Sequence, residues 1–201
     1  MKYHAVGNRC AVDFGEFELP IPLEQALTIL ASHNFQHIEV DVVAEARNVV
    51  DIAEYRRGAR LAEAPAVFDC SSLMKWLYAQ SGIWLPRRSI QQREFGIPIN
   101  PCDMSAGDIV FASGFIDYYD KDPADGVGHV GIATGDGTVI HAANRTLGII
   151  ESSFKEFVSK NKLRGIRRLI PDPEKFFVFL TPPERENEWS DDIRWVILQS
   201  L

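Results

Sequence analysis

The sequence lacks the features that would assign it to a membrane, to nucleic acid or to export. No uninterrupted apolar stretch approaches the ~18–20 residues that a membrane helix needs, and residues 1–10 lack the apolar core of a secretory signal. Lysine and arginine total 21 against 28 acidic residues, a net charge of −7, and they form no basic stripe. We therefore expect no membrane span, no nucleic-acid partner and a cytoplasmic location.

Cysteine is scarce as well. The three cysteines, Cys10, Cys70 and Cys102, are an odd number at wide spacing without a CxxC pattern, which argues against a disulfide framework and a paired-cysteine metal site. We expect no metal and no cofactor. With 201 residues, 46% of them apolar and 24% charged, the chain is long enough for one well-packed domain with small extensions.

The residue pattern changes about halfway along the chain from helical spacing to short β-runs. In the first part, this spacing predicts helices over residues 23–33, over residues 44–55, and from Cys70 to about Gly82, where glycine suits a left-handed cap. The second part predicts short strands over residues 108–111, 129–134, 138–142, 148–151, 164–170 and 176–180. Helices followed by antiparallel strands indicate an α+β fold.

One thiol lies where an extended run gives way to the helix-like stretch. Residues 68–73, Phe-Asp-Cys-Ser-Ser-Leu, place Cys70 at a helix start, where unpaired backbone N–H groups favour thiolate over thiol. His129 and His141 follow in strand-like surroundings. A cysteine followed by two histidines predicts a nucleophile, its general base and a residue that orients the base. The pattern therefore indicates a cysteine hydrolase.

Five motifs in order resemble the NlpC/p-sixty family of papain-like cysteine peptidases, over roughly residues 45–160. They are residues 68–73, 85–92, 107–111, 129–132 and 139–142. The resemblance implies a papain-like α+β fold with the nucleophile at a helix N-terminus, packed on an antiparallel sheet that carries the histidines. It implies a peptidase for small cell-wall peptides of the γ-D-glutamyl-diamino acid class, with Cys70 as nucleophile, His129 as base and His141 as orienting residue.

The same resemblance implies three further site residues. Tyr55 resembles the family tyrosine whose hydroxyl lies beside the thiol, although the second glycine of that motif is Ala59 here. Asp69 and Ser71 flank Cys70, and in relatives that cut after D-glutamate these positions help to bind a free L-alanine amine. The alternatives are that Tyr55 is an apolar contact of the preceding helix and that Asp69 and Ser71 cap the helix start.

Other interpretations stay open. A zinc site formed by Cys70, His129 and His141 would need a fourth ligand or water, and no CxxC or HxxxH pattern supports it. Residues 114–128 could wall the cleft or form a surface loop, and they lack the spacing of an EF-hand calcium loop. The function could also be that of an amidase or acyltransferase on another amide, or of a silent peptide-binding or assembly domain.

We predict three segments: an N-terminal extension (residues 1–40), a catalytic domain (residues 41–171) and a C-terminal extension (residues 172–201) packed on the same domain. The extensions could restrict the cleft or form a homo-oligomer. The expected partner is a small peptide substrate. Because no wall-binding repeat is present, soluble fragments are favoured over intact peptidoglycan.

Overall fold

Short strands and helices alternate along the chain in this computed structural model, which describes residues 1–159 and 162–201. The strands are β1 (Arg9–Asp13), β2 (Gln36–Ile38), β3 (Glu54–Tyr55), β4 (Val67–Phe68), β5 (Ile97–Pro98), β6 (Ile109–Ala112), β7 (His129–Ala133), β8 (Thr138–Asn144), β9 (Gly148–Ser153), β10 (Leu163–Arg168) and β11 (Phe176–Leu180). The α-helices are α1 (Leu23–Ser32), α2 (Val42–Arg47), α3 (Cys70–Gln80), α4 (Ser89–Gln92), α5 (Phe154–Ser159) and α6 (Ser190–Leu198). None of the helices in these described ranges combines the length and apolar character needed to cross a bilayer.

The chain divides into two compact units. The first unit comprises Met1–Val40, Tyr78–Trp84 and Asp172–Leu201, and the second comprises Asp41–Leu77 and Leu85–Pro171. Both predicted extensions fall in the first unit, together with the end of α3 and the residues after it. The predicted domain boundaries, the packing of the C-terminal extension and self-association remain predictions.

The first unit is built on a three-stranded antiparallel sheet in the order β1-β11-β2. Helix α1 presents Ala26 and Leu30 to its core, as the helical spacing predicted. Gly82 follows α3 with a φ of +66°, and a Cβ there would lie 2.7 Å from the Ala11 nitrogen. Glycine is therefore required for conformation and for space, and the predicted cap after α3 is confirmed.

The second unit is built on a six-stranded sheet in the order β5-β10-β6-β7-β8-β9, in which every neighbouring pair is antiparallel. One core cluster of this unit consists of Val110, Ala112, Ala133, Val139, Phe157 and Ile166. The buried Asp108 carboxylate accepts hydrogen bonds from Arg168 Nε and Nη2, each at 2.8 Å. This ion pair fixes the start of β6 beside β10. The predicted mixture of helices and antiparallel strands is confirmed.

The predicted helix over residues 44–55 is wrong in its extent. Helix α2 covers Val42–Arg47 and begins where Asp41 Oδ1 accepts hydrogen bonds from the Val43 and Ala44 backbone N–H groups. Beyond it the chain turns, and Asp51 has a left-handed φ of +57° that ends any helical path. Glu54 and Tyr55 then form β3, which pairs in parallel with β4. After the helix, Val49 and Ala53 are buried whereas Ile52 is exposed, and a helical spacing pattern cannot reveal that these residues lie in turns.

Candidate active site

Cys70 is the first residue of α3, and the capping hydrogen bonds around it fix this position. Asp69 Oδ1 accepts from the Ser72 backbone N–H at 2.8 Å, and Ser72 Oγ accepts from the Asp69 backbone N–H at 2.8 Å. Strand β4 ends at Phe68, directly before this cap, and pairs with β3 so that Tyr55 lies opposite Phe68. The thiol and the tyrosine therefore reach the same edge of the second unit.

Cys70 is half-buried, and its sulfur accepts a hydrogen bond from the Val130 backbone N–H on β7. Burial, together with the charge of Asp69, raises the pKa of the Cys70 thiol to about 11. Hydrogen bonds from the Val130 and Ser71 backbone N–H groups and the charge of Arg87 act in the lowering direction, but they are outweighed. The expectation that the helix start favours the thiolate is thus wrong in this structure, because loss of hydration opposes the negative charge more strongly than the first-turn N–H groups support it.

The two predicted histidines lie on adjacent antiparallel strands and contact each other. His129 begins β7, His141 lies in the middle of β8, and Ile132 pairs with Ile140 between them. His129 Nε2 and His141 Nδ1 are 2.9 Å apart, within hydrogen-bond distance. The structure thus brings together the residues predicted as general base and orienting residue.

A third strand extends this contact. The Ser152 hydroxyl on β9 lies 3.0 Å from His141 Nε2. Both nitrogens of His141 are therefore engaged, one by His129 and the other by Ser152. Ser152 was not predicted from the sequence, because its contact with His141 depends on the pairing of β9 with β8, which no local motif encodes.

Both imidazoles lie in surroundings that disfavour a positive charge. Burial lowers the pKa of His129 to about 4, while burial and the neighbouring His129 lower the pKa of His141 to about 3. The Phe157 ring stacks on His129 at 5.2 Å between ring centroids and meets His141 edge-on at 4.9 Å. At neutral pH both rings are therefore uncharged, and each can donate one hydrogen bond and accept one.

Gly131 provides the space that the histidine contact requires. A Cβ built on Gly131 would lie 2.6 Å from Val139 Cγ1 and 3.1 Å from His141 Cβ. Any side chain at this position would push β8 away from β7 or displace His141. The glycine therefore sets the close approach of the two strands.

Asp69 is engaged on both carboxylate oxygens. Its Oδ1 accepts from Ser71 Oγ at 3.3 Å and Arg87 Nη1 at 3.1 Å, and its Oδ2 accepts from the Gly58 backbone N–H at 2.9 Å and from Arg87 Nη2. Burial alone would raise the pKa of Asp69, but the hydrogen bonds from Arg87 and from the backbone hold it below its usual range. The pairing with Arg87 was not predicted. This geometry supports the helix-capping interpretation of Asp69, and the amine-binding role of Asp69 and Ser71 stays a prediction.

One cleft of about 920 Å³ contains all six predicted site residues on its walls: Tyr55, Asp69, Cys70, Ser71, His129 and His141. Burial and the neighbouring Cys70 and Asp69 raise the pKa of the Tyr55 hydroxyl, which agrees with its predicted position beside the thiol. Both nitrogens of His141 are engaged, one by His129 Nε2 and the other by the Ser152 hydroxyl, so His141 has no free nitrogen for a metal and the geometry does not support the zinc interpretation.

The loop of residues 114–128 forms part of the cleft wall, which was one of its two predicted interpretations. Phe115, Ile116 and Tyr118 line the cleft, and the Phe115 side chain is fully exposed. Arg93 holds the far end of the loop through two hydrogen bonds to the Asp125 carboxylate, at 2.9 and 2.8 Å. The loop is therefore anchored near Asp125, and its first residues present an apolar surface to the cleft.

Comparison with known proteins agrees with this arrangement. The NlpC/P60 family model matches residues 53–168. A probable endopeptidase of Corynebacterium glutamicum is 40% identical over 108 residues, 52% of this chain and 46% of that protein. A gamma-DL-glutamyl hydrolase of Bacillus subtilis is 33% identical over 131 residues, 65% of this chain and 29% of that protein. The chain thus spans less than half the length of these two curated relatives.

Solved structures show the same fold. NlpC2 from Trichomonas vaginalis matches with a TM-score of 0.53 and 26% identity over 64% of this chain and 44% of that chain. The NlpC/p60 domain of the peptidoglycan hydrolase SagA matches with a TM-score of 0.51 and 26% identity over 64% of this chain and 96% of that domain. The predicted papain-like α+β fold is therefore confirmed, and the chain belongs to the NlpC/P60 family.

Proposed function

We propose that this protein is a cysteine peptidase that hydrolyses amide bonds in small cell-wall peptides of the γ-D-glutamyl-diamino acid class. The observation that carries the proposal is the hydrogen-bonded chain of His129, His141 and Ser152 in the cleft that contains the Cys70 thiol. The names of the relatives support the substrate class, since one is a gamma-DL-glutamyl hydrolase and another a bifunctional muramidase/DL-endopeptidase, both of Bacillus subtilis.

The reaction begins from a neutral thiol and a neutral imidazole, because the pKa of Cys70 is raised and that of His129 is lowered. As the sulfur attacks the amide carbonyl, the thiol proton moves to His129 Nδ1, the ring nitrogen that does not face His141. The tetrahedral oxyanion forms beside the first turn of α3, whose backbone N–H groups stabilise negative charge. The Tyr55 hydroxyl, on the same cleft wall, can donate a further hydrogen bond.

Three proton transfers through His129 complete the cycle. The C–N bond breaks as His129 returns its proton to the leaving amine, which leaves an acyl thioester on Cys70. Water then attacks this thioester while His129 Nδ1 takes a proton from the water, and the thiolate leaves and is reprotonated by His129. Cys70 and His129 thus return to their starting state, and the products are a carboxylic acid and an amine.

Ser152 positions this chemistry through the tautomer of His141. His129 can accept the thiol proton at Nδ1 only when its own hydrogen is on Nε2 and is donated to His141 Nδ1. His141 must then carry its hydrogen on Nε2, and the Ser152 hydroxyl accepts it. The opposite arrangement would put a hydrogen on His129 Nδ1 and block the base.

The test is a mass-spectrometric comparison of the wild type with Cys70→Ala on a defined set of muropeptides that includes L-Ala-γ-D-Glu-diaminopimelate. We expect the wild type to release diaminopimelate and L-Ala-D-Glu, and Cys70→Ala to release neither. Absence of cleavage by the wild type across the set would contradict the proposal and favour a silent peptide-binding or assembly domain. Cleavage only of amides outside the set would favour an amidase or acyltransferase. The cytoplasmic location and the preference for soluble fragments stay predictions.

A further inference from the structure

We propose that the cleft selects peptides by a free carboxylate, which Arg57 and Arg88 bind, and that it does not require a free amine. This inference rests on the proposed peptidase function and specifies its substrates further. Three features of the second unit carry it: the saturation of Asp69, the lack of acidic partners for Arg57 and Arg88, and the charge balance of the cleft.

Asp69 has no capacity left for a substrate ammonium group. Its two oxygens accept from the Gly58 and Ser72 backbone N–H groups, the Ser71 hydroxyl and two Arg87 nitrogens. A carboxylate offers about four lone-pair sites, so these donors already occupy it. An incoming amine would have to displace the charged, two-point contact of Arg87, which is the strongest kind of protein hydrogen bond. Asp69 therefore serves the helix start and Arg87 rather than the substrate.

Two other arginines on the cleft wall, Arg57 and Arg88, are not engaged by carboxylates as Arg87 is. Within residues 1–159 and 162–201, neither Arg57 nor Arg88 forms an ion pair with a carboxylate, although both line the cleft and are exposed. The Arg88 guanidinium lies over the Tyr118 ring, 5.1 Å from its centroid. This cation–π contact holds the guanidinium beside the cleft wall.

The charge of the cleft differs in sign from that of the whole protein. Its charged lining residues are three arginines (Arg57, Arg87 and Arg88) and two acids (Asp69 and Glu156). Arg87 neutralises Asp69, and Glu156 accepts hydrogen bonds from the Ser153 backbone and hydroxyl at the start of α5. A cleft with excess positive charge in a protein of net charge −7 concentrates acidic ligands near the thiol.

A γ-D-glutamyl peptide provides the complementary group. When glutamate is linked through its side chain, its α-carboxylate remains free and lies a few bonds from the amide that is cleaved. A guanidinium can bind this group with two parallel hydrogen bonds. Amidation converts it into a neutral carboxamide and removes the charge, whereas acetylation of the L-alanine amine leaves it unchanged. The two modifications therefore separate carboxylate recognition from amine recognition.

The experiment measures binding of four peptides to the Cys70→Ala protein by titration calorimetry: L-Ala-γ-D-Glu-diaminopimelate, its N-acetyl form, its α-amide and the form with both changes. We expect amidation to weaken binding about tenfold and acetylation to change it less than about twofold. Adding Arg57→Gln or Arg88→Gln should reduce the effect of amidation. Adding both substitutions should bring the amidation ratio, which is the dissociation constant of the α-amide divided by that of the unmodified peptide, near one.

Arg56→Gln is the matched control, because Arg56 is adjacent and exposed but pairs with Glu63 and does not line the cleft. Its amidation ratio should equal that of the parent protein. The inference is overturned if acetylation weakens binding about tenfold, if amidation has no effect, or if Arg56→Gln changes the ratio as much as Arg88→Gln does. Because binding is measured without turnover, these outcomes are independent of whether the wild type cleaves the peptide, which is the test of the proposed function.

Discussion

The hydroxyl of Ser152 should influence the rate of the reaction although it does not touch the reacting atoms. Threonine and valine at this position have nearly the same shape and differ by a hydroxyl against a methyl group. Ser152→Thr keeps an acceptor for His141 Nε2, and Ser152→Val removes it. The pair therefore isolates the hydrogen bond from changes in packing on β9.

The size of the effect follows from the burial of His141, which is 8% exposed. A buried N–H group without an acceptor costs about 1–3 kcal/mol, and His141 avoids this cost by moving its hydrogen to Nδ1. That tautomer can no longer accept from His129 Nε2, so the population of His129 that can act as a base falls. Since Ser152 lines the cleft and water can partly replace its hydroxyl, we take the lower part of the range, about a tenfold loss.

The assay is steady-state cleavage of the peptide identified in the muropeptide screen. We expect Ser152→Val to lower kcat about tenfold with KM nearly unchanged, because an interaction made for proton transfer is lost and substrate contacts are kept. Ser152→Thr should stay within about twofold of the wild type. Nitrogen-15 NMR of the histidine rings should show one tautomer of His141 in the threonine variant and a mixture in the valine variant.

Equal kcat values for the two variants would refute this reasoning, provided that both unfold at the same temperature as the wild type. A fall in both variants would instead indicate that the added methyl group disturbs β9. A changed KM with an unchanged kcat would show that Ser152 contacts the substrate and does not act through His141.

Three further predictions concern ionisable groups. The rate of iodoacetamide labelling of Cys70 in the free protein should still rise at pH 9, because burial raises the pKa of this thiol to about 11. Peptide mass spectrometry measures this rate, with the exposed Cys102 as internal reference. A labelling rate that reaches a plateau near neutral pH would contradict the prediction. Burial lowers the pKa of His129 from 6.5 to about 4, so between these pH values the unfolded chain binds more protons and stability falls as the pH falls. Urea titrations should show that His129→Gln removes about 3 kcal/mol of this acid destabilisation, and an unchanged pH dependence would argue against a buried neutral ring. Arg168→Met should lower the free energy of unfolding by about 3 kcal/mol, because Asp108 would stay buried without its partner, and Asp108→Asn combined with it should recover part of the loss.

The features that the sequence predicted well are those encoded by neighbouring residues. The start of α3 at Cys70 and its end before Gly82 follow from a capping acid, apolar spacing and a glycine, all within a short segment. The strands that carry His129 and His141 follow from local β-patterns and a turn between them. These local signals, ordered along the chain, were sufficient for the family and for the cleft residues.

The features that were missed depend on distant pairings and on solvent. Ser152 contacts His141 only because β9 pairs with β8, and Arg87 reaches Asp69 across 18 positions of sequence. The sign of the pKa shift at Cys70 depends on how much water surrounds the sulfur, which a helix-start motif does not report. The predicted helix at α2 was also too long, because the apolar residues after Arg47 lie in turns at intervals that resemble one face of a helix.

The close approach of β7 and β8 at Gly131 restricts which residues can change on these strands, whereas the loops that connect them are less restricted. The contact between His129 and His141 depends on the spacing of β7 and β8, and a side chain at Gly131 would not fit between these strands. Part of the cleft wall lies instead on the connections that enter or leave those strands, such as residues 114–128 and Leu147. We therefore expect insertions and substitutions in these connections to change which peptide the proposed enzyme accepts, while the contact between His129 and His141 is kept.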